Sequence, residues 1–239
     1  MRYEPDLIRE HPPASSLMEN AYRRLKREII ELDRPPGASF TELEVATAFG
    51  LSKTPVREAL ARLHRDGLVR PLPRAGYVVS AVTLGDATDL CDMRALLQSQ
   101  AAALCAEHGL SEADGARLAE LAVDTDEDQL DGPHFEERFR ANYEFESIIA
   151  NGSGNNRLAA ATVGVLDEIE RIFRLGIRLD PAMPPARIRE RQAIVEAIAA
   201  RDADAARAAM QRRTASARRE IVGALAASRS ITHAEIAVP

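Results

Sequence analysis

Tryptophan is absent from this chain, aromatic side chains make up only 4% of it, and cysteine occurs twice. Cys91 and Cys105 fall on one expected helix, about 21 Å apart at ~1.5 Å per residue, so they cannot bridge and a disulfide-held scaffold is excluded. No apolar run approaches the roughly 20 residues that a membrane span requires. The opening MRYEPDLIREHPPASS has no apolar h-region and reads as a frayed arm rather than a signal peptide. Reduced thiols and the missing leader together lead to the expectation of a cytoplasmic protein. Also missing are a G-x-S-x-G elbow, a phosphate-cradling glycine loop, an HExxH motif and a paired nucleophile and base, so no enzyme signature is present. The five histidines (His11, His64, His108, His134 and His233) show no ligand spacing with one another.

What the chain does have is alanine, charge and helical periodicity. Hydrophobic residues at 46% and charged residues at 28% give the balance of a globular protein, and abundant alanine favours helices over sheets. The net charge of −6 divides unevenly: residues 1–80 carry +2 and the remainder −8. Between Ser52 and Arg74, Lys53, Arg57, Arg62, Arg65, Arg70 and Arg74 face only Glu58 and Asp66. That is a modest electrostatic footprint for nucleic acid within an acidic molecule, and a solvated helix face would show the same charges.

Apolar residues at Tyr22, Leu25, Ile29 and Leu32 predict a first helix, stopped by Arg34-Pro-Pro-Gly37. Thr41 with Glu44 three residues on is a capping-box pattern, and Gly50 suits the end of that short helix. Ser52 is placed to cap a third helix with Pro55 in its first turn, a buried stripe of Val56, Leu60 and Leu63, and Gly67 closing it. LVRPLPRAGYVVSAV then alternates about a turn at Pro73–Gly76, as a β-hairpin does. Helix, short helix, turn, helix and hairpin is the order of a winged helix-turn-helix, whose third helix enters the major groove while the wing meets neighbouring backbone. An ordinary α+β module would share that order. Beyond Ser80 strand signals vanish, and helices are expected at 86–107, 112–130, 133–150, 156–178, 186–200 and 203–226, with a loop at Asp180–Pro185. The expected fold is mainly α: an N-terminal winged helix-turn-helix of three helices and a hairpin wing, then an all-α antiparallel bundle. The expected division is an arm over 1–17, a DNA-binding domain over 18–82, a helical domain over 83–226 and a loose tail over 227–239.

Several polar residues lie on apolar stripes of those helices: Arg94 among Leu90, Leu97, Ala101 and Leu104; Asn142 and Glu146 with Phe135, Phe139 and Ile149; Gln192 among Ile188, Val195 and Ala199; and Arg213 among Met210, Ala217 and Ile221. Spacing by three and four carries each inward. Burial of such groups is costly unless they are paired or solvated, so the stripes point to convergence on one polar cavity.

The segment PPGASFTELEVATAFGLSKTPVREALARLHRDGLVRPLPRAGYVV resembles the N-terminal domain of the GntR family, with GLSKTPVREALARLHRDGLV close to its signature. DLCDMRALLQSQAAALCA, NYEFESIIANGSGNNRL and RERQAIVEAIAARDADAARAAMQRR resemble the FCD ligand-binding domain of the FadR-like subfamily, so the likeness spans roughly residues 18–225. The resemblance implies a homodimer on palindromic operator DNA, regulated by a small effector held in the helical domain. It implies DNA contacts from Ser52, Lys53, Thr54, Arg57 and Arg65, with Arg57 suited to bidentate guanine readout, and from Arg74 and Gly76 at the wing tip. Leu43 stands where some FadR-like proteins carry a DNA-contacting arginine. Many FCD proteins hold a divalent metal with one Asp and three His. The matching positions here read Asn142, Glu146, Gln192 and Arg213, of which only Glu146 is a competent ligand, so no metal cofactor is expected. Two readings of the cavity follow. In one, Arg94 and Arg213 bind a small anionic effector, an organic acid or phosphorylated metabolite. In the other, Arg213 pairs with Glu146 and closes the pocket, leaving a constitutive dimeric DNA-binding regulator.

Overall fold

A computed structural model describes residues 16–123, 133–179 and 189–227. The expected arm up to Ser15, the Asp180–Pro185 loop and the tail from residue 228 lie outside the described residues.

Helix α1 (Leu17–Ile30) starts from Ser16, whose hydroxyl accepts from the Glu19 N–H. It ends at Ile30, two residues short of Leu32, the last residue of the predicted stripe. Leu32 takes a left-handed backbone, φ 64°, and its side chain leaves the α1 stripe to join the core of the helical domain beside Val82 and Ile169. The expected capping box is present at α2 (Glu42–Phe49): Thr41 accepts from the Glu44 N–H, and Glu44 accepts from the Thr41 N–H. Gly50 closes α2 in the left-handed conformation, φ 65°, which glycine adopts without a Cβ penalty. Helix α3 (Lys53–Arg65) follows, with Val56, Ala59, Leu60 and Leu63 buried against α1 and α2. Ser52 holds its N-cap position, but its side chain makes no capping bond.

The expected hairpin forms as β2 (Val69–Leu72) and β3 (Gly76–Val79), antiparallel with Val69 opposite Val79 and Leu72 opposite Gly76. A two-residue strand β1 (Ser39–Phe40), too short to leave a periodic signal, pairs with the other edge of β3, so the sheet order is β1-β3-β2.

The second half is helical: α4 (Leu84–His108), α5 (Glu112–Glu120), α6 (Pro133–Gly152), α7 (Asn156–Leu179), α8 (Arg189–Ala199) and α9 (Ala203–Ala227). Both cysteines are buried and unbridged on α4. Of the helix expected over 112–130, α5 covers Glu112–Glu120, residues 121–123 are non-helical, and residues 124–130 lie outside the described residues. The Leu121 carbonyl accepts from the Arg191 guanidinium at 2.8 Å, which removes it from the helical ladder. No helix among the described residues is long and apolar enough to cross a membrane.

The two halves meet along α7. Lys26 of α1 donates to Asp167 at 2.6 Å with both side chains largely buried, Arg171 donates to the Ser80 carbonyl, and Arg178 donates to the Leu32 carbonyl at 3.3 Å.

Candidate nucleic-acid interface and buried arginine centre

Because α3 buries Pro55, Val56, Ala59, Leu60 and Leu63, the 3.6-residue period turns Ser52, Lys53, Thr54, Arg57 and Arg65 outward, and all five are exposed. Ser52, Lys53, Thr54 and Arg57 cluster on the first turns, while Arg65 lies at the far end, about 18 Å from Lys53 at ~1.5 Å per residue. Arg57 is 66% exposed and gripped from α2: its Nε lies 3.2 Å from both Glu42 carboxylate oxygens and its Nη2 3.1 Å from Oε2. That hydrogen bond and the charge of Glu42 push the Arg57 guanidinium above its usual range. Arg62 departs from the basic face, donating to Glu19 at 2.7 Å with its guanidinium 3.7 Å from the Tyr22 ring centre. Leu43 stands exposed on α2.

At the wing, Arg74 is exposed at the turn in a left-handed conformation, φ 64°. Such a backbone is uncommon for a residue with a side chain and marks a turn held by its surroundings. Gly76 has φ 101°, and a Cβ there would sit 2.4 Å from the Phe40 carbonyl oxygen. Its missing side chain is thus required by the β1–β3 pairing.

The polar stripes of the second half do converge. The Glu146 carboxylate of α6, fully buried, accepts from Arg94 Nη2 at 2.6 Å, Gln98 Nε2 at 2.5 Å and Arg213 Nη2 at 3.2 Å. Arg94 Nε also donates to Gln98 Oε1 at 3.1 Å. Asn142 Oδ1 accepts from Arg213 and, at 3.1 Å, from Arg191 Nη2. Phe145 lies beneath both, its ring centre 5.4 Å from Arg191 and 5.8 Å from Arg213. Gln192 is not part of this centre: it is exposed, and Arg191 holds the inward position. The register is displaced by one residue because α8 buries Arg191, Ile194, Ala197 and Ile198 rather than the stripe through Val195 and Ala199. Gln98 was readable from its place one turn after Arg94, whereas the stripe of Arg191, Ile194 and Ile198 competes on α8 with the one through Val195 and Ala199.

Electrostatically the centre is cationic. Two guanidiniums, of Arg94 and Arg213, share one carboxylate, with the Glu190 charge acting on Arg213 from further off. Burial alone would raise Glu146, but the charges of Arg94 and Arg213 and the Gln98 hydrogen bond outweigh it and hold the carboxyl below its ordinary range. Burial, reinforced by repulsion from Arg94, lowers Arg213 despite its contact with Glu146. Arg94 Nη1 and Arg213 Nε and Nη1 are buried and make no hydrogen bond. Among the described residues no group of three or more His, Cys, Asp or Glu side chains is arranged to hold a metal ion.

A helix-turn-helix with an exposed basic second helix and a hairpin wing, joined to a helical domain with a charged centre, defines a DNA-binding transcription regulator rather than an enzyme. The comparisons agree: residues 17–79 match the bacterial regulatory proteins of the gntR family, and residues 89–216 match the FCD domain. The chain belongs to the GntR family and to its FCD-bearing branch. A Streptomyces ambofaciens HTH-type transcriptional regulator in an unstable DNA locus is 31% identical over 193 residues, 80% of this chain and 78% of that one. An Agrobacterium vitis HTH-type regulator from the TAR-I ttuE-ttuC' intergenic region is 39% identical over 82 residues, 34% of this chain and 48% of that relative's length. The Escherichia coli HTH-type transcriptional repressor RspR is 33% identical over 72 residues, 30% of this chain and 32% of its own. The structure of E. coli McbR/YncC shares the fold, with a TM-score of 0.69 at 24% identity over 85% of this chain and 95% of that one.

Proposed function

We propose that this chain is a cytoplasmic, dimeric repressor of palindromic operators whose DNA affinity responds to a small organic anion bound at the Arg94–Glu146–Arg213 centre without a metal. Arg57 and its neighbours on α3 read the operator, and Arg74 meets the adjacent backbone. The name of RspR, 33% identical over 72 residues, supports repression.

One observation carries the sensing part: three N–H positions of Arg94 and Arg213 are buried without a partner in a centre that already holds more positive than negative charge. Leaving such donors unmade is costly, and a carboxylate or phosphate oxygen would satisfy them. A divalent cation does not fit, because guanidiniums offer no lone pair and repel it, which leaves Glu146 as the one anionic ligand at the four positions.

The contact of Arg213 with Glu146 at 3.2 Å favours a second reading, in which the centre is structural and the regulator constitutive. Thermal denaturation of the full chain with a panel of carboxylates and phosphorylated metabolites, and separately with zinc or chelator, distinguishes the two. The sensing reading expects an anion at about 100 times its Kd to add about 2.7 kcal/mol of stability. Indifference to every anion supports the constitutive reading, and stabilisation by zinc would overturn the metal-free one.

A further inference from the structure

Glu42 is an anomaly on a surface meant to meet phosphates. It lies in the first turn of α2, its carboxylate contributes negative charge beside the basic start of α3, and it grips the residue best suited to base readout. Electrostatic affinity alone would be better served without it, since each like charge facing the DNA backbone weakens the sequence-independent attraction.

The geometry of the grip explains its presence. Glu42 takes Nε and Nη2, one edge of the planar Arg57 fork. Because a guanidinium presents its donors in a fixed plane, the edge made by Nη1 and the second Nη2 hydrogen stays available and faces away from the carboxylate. Two parallel donors are what guanine O6 and N7 accept. Glu42 is itself held from both sides. Before it, Phe40 is paired with Tyr77 in the β1–β3 ladder; after it, the Thr41–Glu44 capping box fixes the helix turn. The Arg57 side chain is 66% exposed, and the hydrogen bonds that orient its guanidinium come from Glu42.

We propose that Glu42 is a positioning residue that aims the Arg57 guanidinium at a guanine, so that a side chain outside the recognition helix sets part of that helix's base preference. This rests on Arg57 being a base-reading residue, as proposed above. A purely structural ion pair and a specificity device make different predictions. Removing the carboxylate strengthens binding to arbitrary DNA, because a negative charge is lost from the interface. If Glu42 aims Arg57, the same change weakens discrimination at one base pair.

The test is selection from a duplex library with a randomised centre by the full-length chain, comparing wild type, Arg57→Ala, Glu42→Gln, Glu42→Ala and Glu42→Asp. Affinity for a fixed non-selected duplex is measured at the same salt. Arg57→Ala is expected to erase one guanine preference. Glu42→Ala and Glu42→Gln are expected to reduce that same preference by about five- to tenfold, within the range a bidentate base contact supplies. Their affinity for the non-selected duplex is expected to hold or rise, and Glu42→Asp to restore part of the preference. The proposal is overturned if Glu42→Ala and Glu42→Gln keep the wild-type guanine preference while Arg57→Ala loses it. A parallel gain of Glu42→Gln on selected and non-selected DNA also overturns it, since that describes a latch on Arg57. If Arg57→Ala keeps the preference, the base-reading role of Arg57 fails and the proposal falls with it.

Discussion

Replacing Glu146 by glutamine tests the charge arrangement of the helical domain most directly. The substitution keeps the shape and one acceptor oxygen but removes the carboxylate that touches both Arg94 and Arg213. Both guanidiniums are almost fully buried, as is Gln98. Removing one partner of a buried ion pair typically costs about 3–5 kcal/mol, because the surviving charge has lost its counter-charge without regaining water. In a chain of this size each kcal/mol moves the melting temperature by about 2–4 °C, so Glu146→Gln is expected to melt about 6–20 °C below wild type.

Calorimetry of the two proteins at neutral pH measures that difference, and titration with acetate or phosphate measures its repair. The variant has the greater need of an outside anion, so its melting temperature should climb more steeply with anion concentration than that of wild type. The pH dependence supplies a further check. A carboxyl held below its ordinary value of 4.5 contributes stability that is present above that value and lost as the pH falls through the lower folded value. The gap between variant and wild type should therefore be full at neutral pH and shrink only in acid below about 4.5. A variant as stable as wild type at pH 7, with no greater response to anions, would refute the charge accounting on which the sensing centre rests.

Three other expectations follow from named contacts. Gly76→Ala forces a Cβ into the Phe40 carbonyl at an unfavourable backbone angle, so the wing should detach from β1. A drop in operator affinity and faster amide exchange at Val79, whose N–H donates to the Ala38 carbonyl beside β1, would report this, and wild-type protection would contradict it. Lys26→Met and Asp167→Asn break one largely buried interdomain pair, and in a double-mutant cycle their coupling should exceed about 0.5 kcal/mol; additive effects would show that the pair does not join the halves. Burial raises Glu170 to about 7 against the opposing charge of Arg174. A carboxyl raised on folding makes stability decline as the pH climbs from about 4.5 to about 7, and Glu170→Gln should remove that slope from melting temperatures recorded across the window.

The DNA-binding half was legible because its determinants are local. Thr41 and Glu44 are three residues apart, Gly50 ends the helix they begin, and α3 follows at once, so short-range stereochemistry alone fixes the turn. The helical centre was legible only as a set of inward-pointing polar residues: periodicity brings Arg94, Glu146 and Arg213 inside, but their distances depend on how α4, α6 and α9 pack. On α8 two apolar stripes overlap, through Ile194 and Ile198 or through Val195 and Ala199, and only the tertiary contact with Phe145 and Asn142 selects the one bearing Arg191. Glu42 had no sequence signal, since its partner is 15 residues away on another helix and an exposed glutamate in a first turn is explained by the helix dipole alone. Leu32 escaped for the opposite reason: it continues the period of α1 but leaves the helix, and the packing of a different domain claims it.

That displaced leucine belongs to the contact through which sensing would have to act. A ligand alters operator affinity only if it binds two arrangements of the protein differently, so the centre must be mechanically joined to the DNA-binding half. The joining elements are α6 and α7. Helix α6 carries Asn142 and Glu146 into the centre, and one end of it is tied to α7 by Glu136, which takes both terminal nitrogens of Arg174 at 2.6–2.7 Å. Helix α7 in turn holds α1 through Lys26 and Asp167, the segment before α4 through Arg171 and Ser80, and Leu32 through Arg178. An anion that draws Arg213 away from Asn142 and Glu146 changes the load on α6 at the place where α7 braces it. In the sensing reading α7 is therefore the shaft between the two halves. In the constitutive reading the same ion pairs serve only to hold the winged helix at a fixed angle.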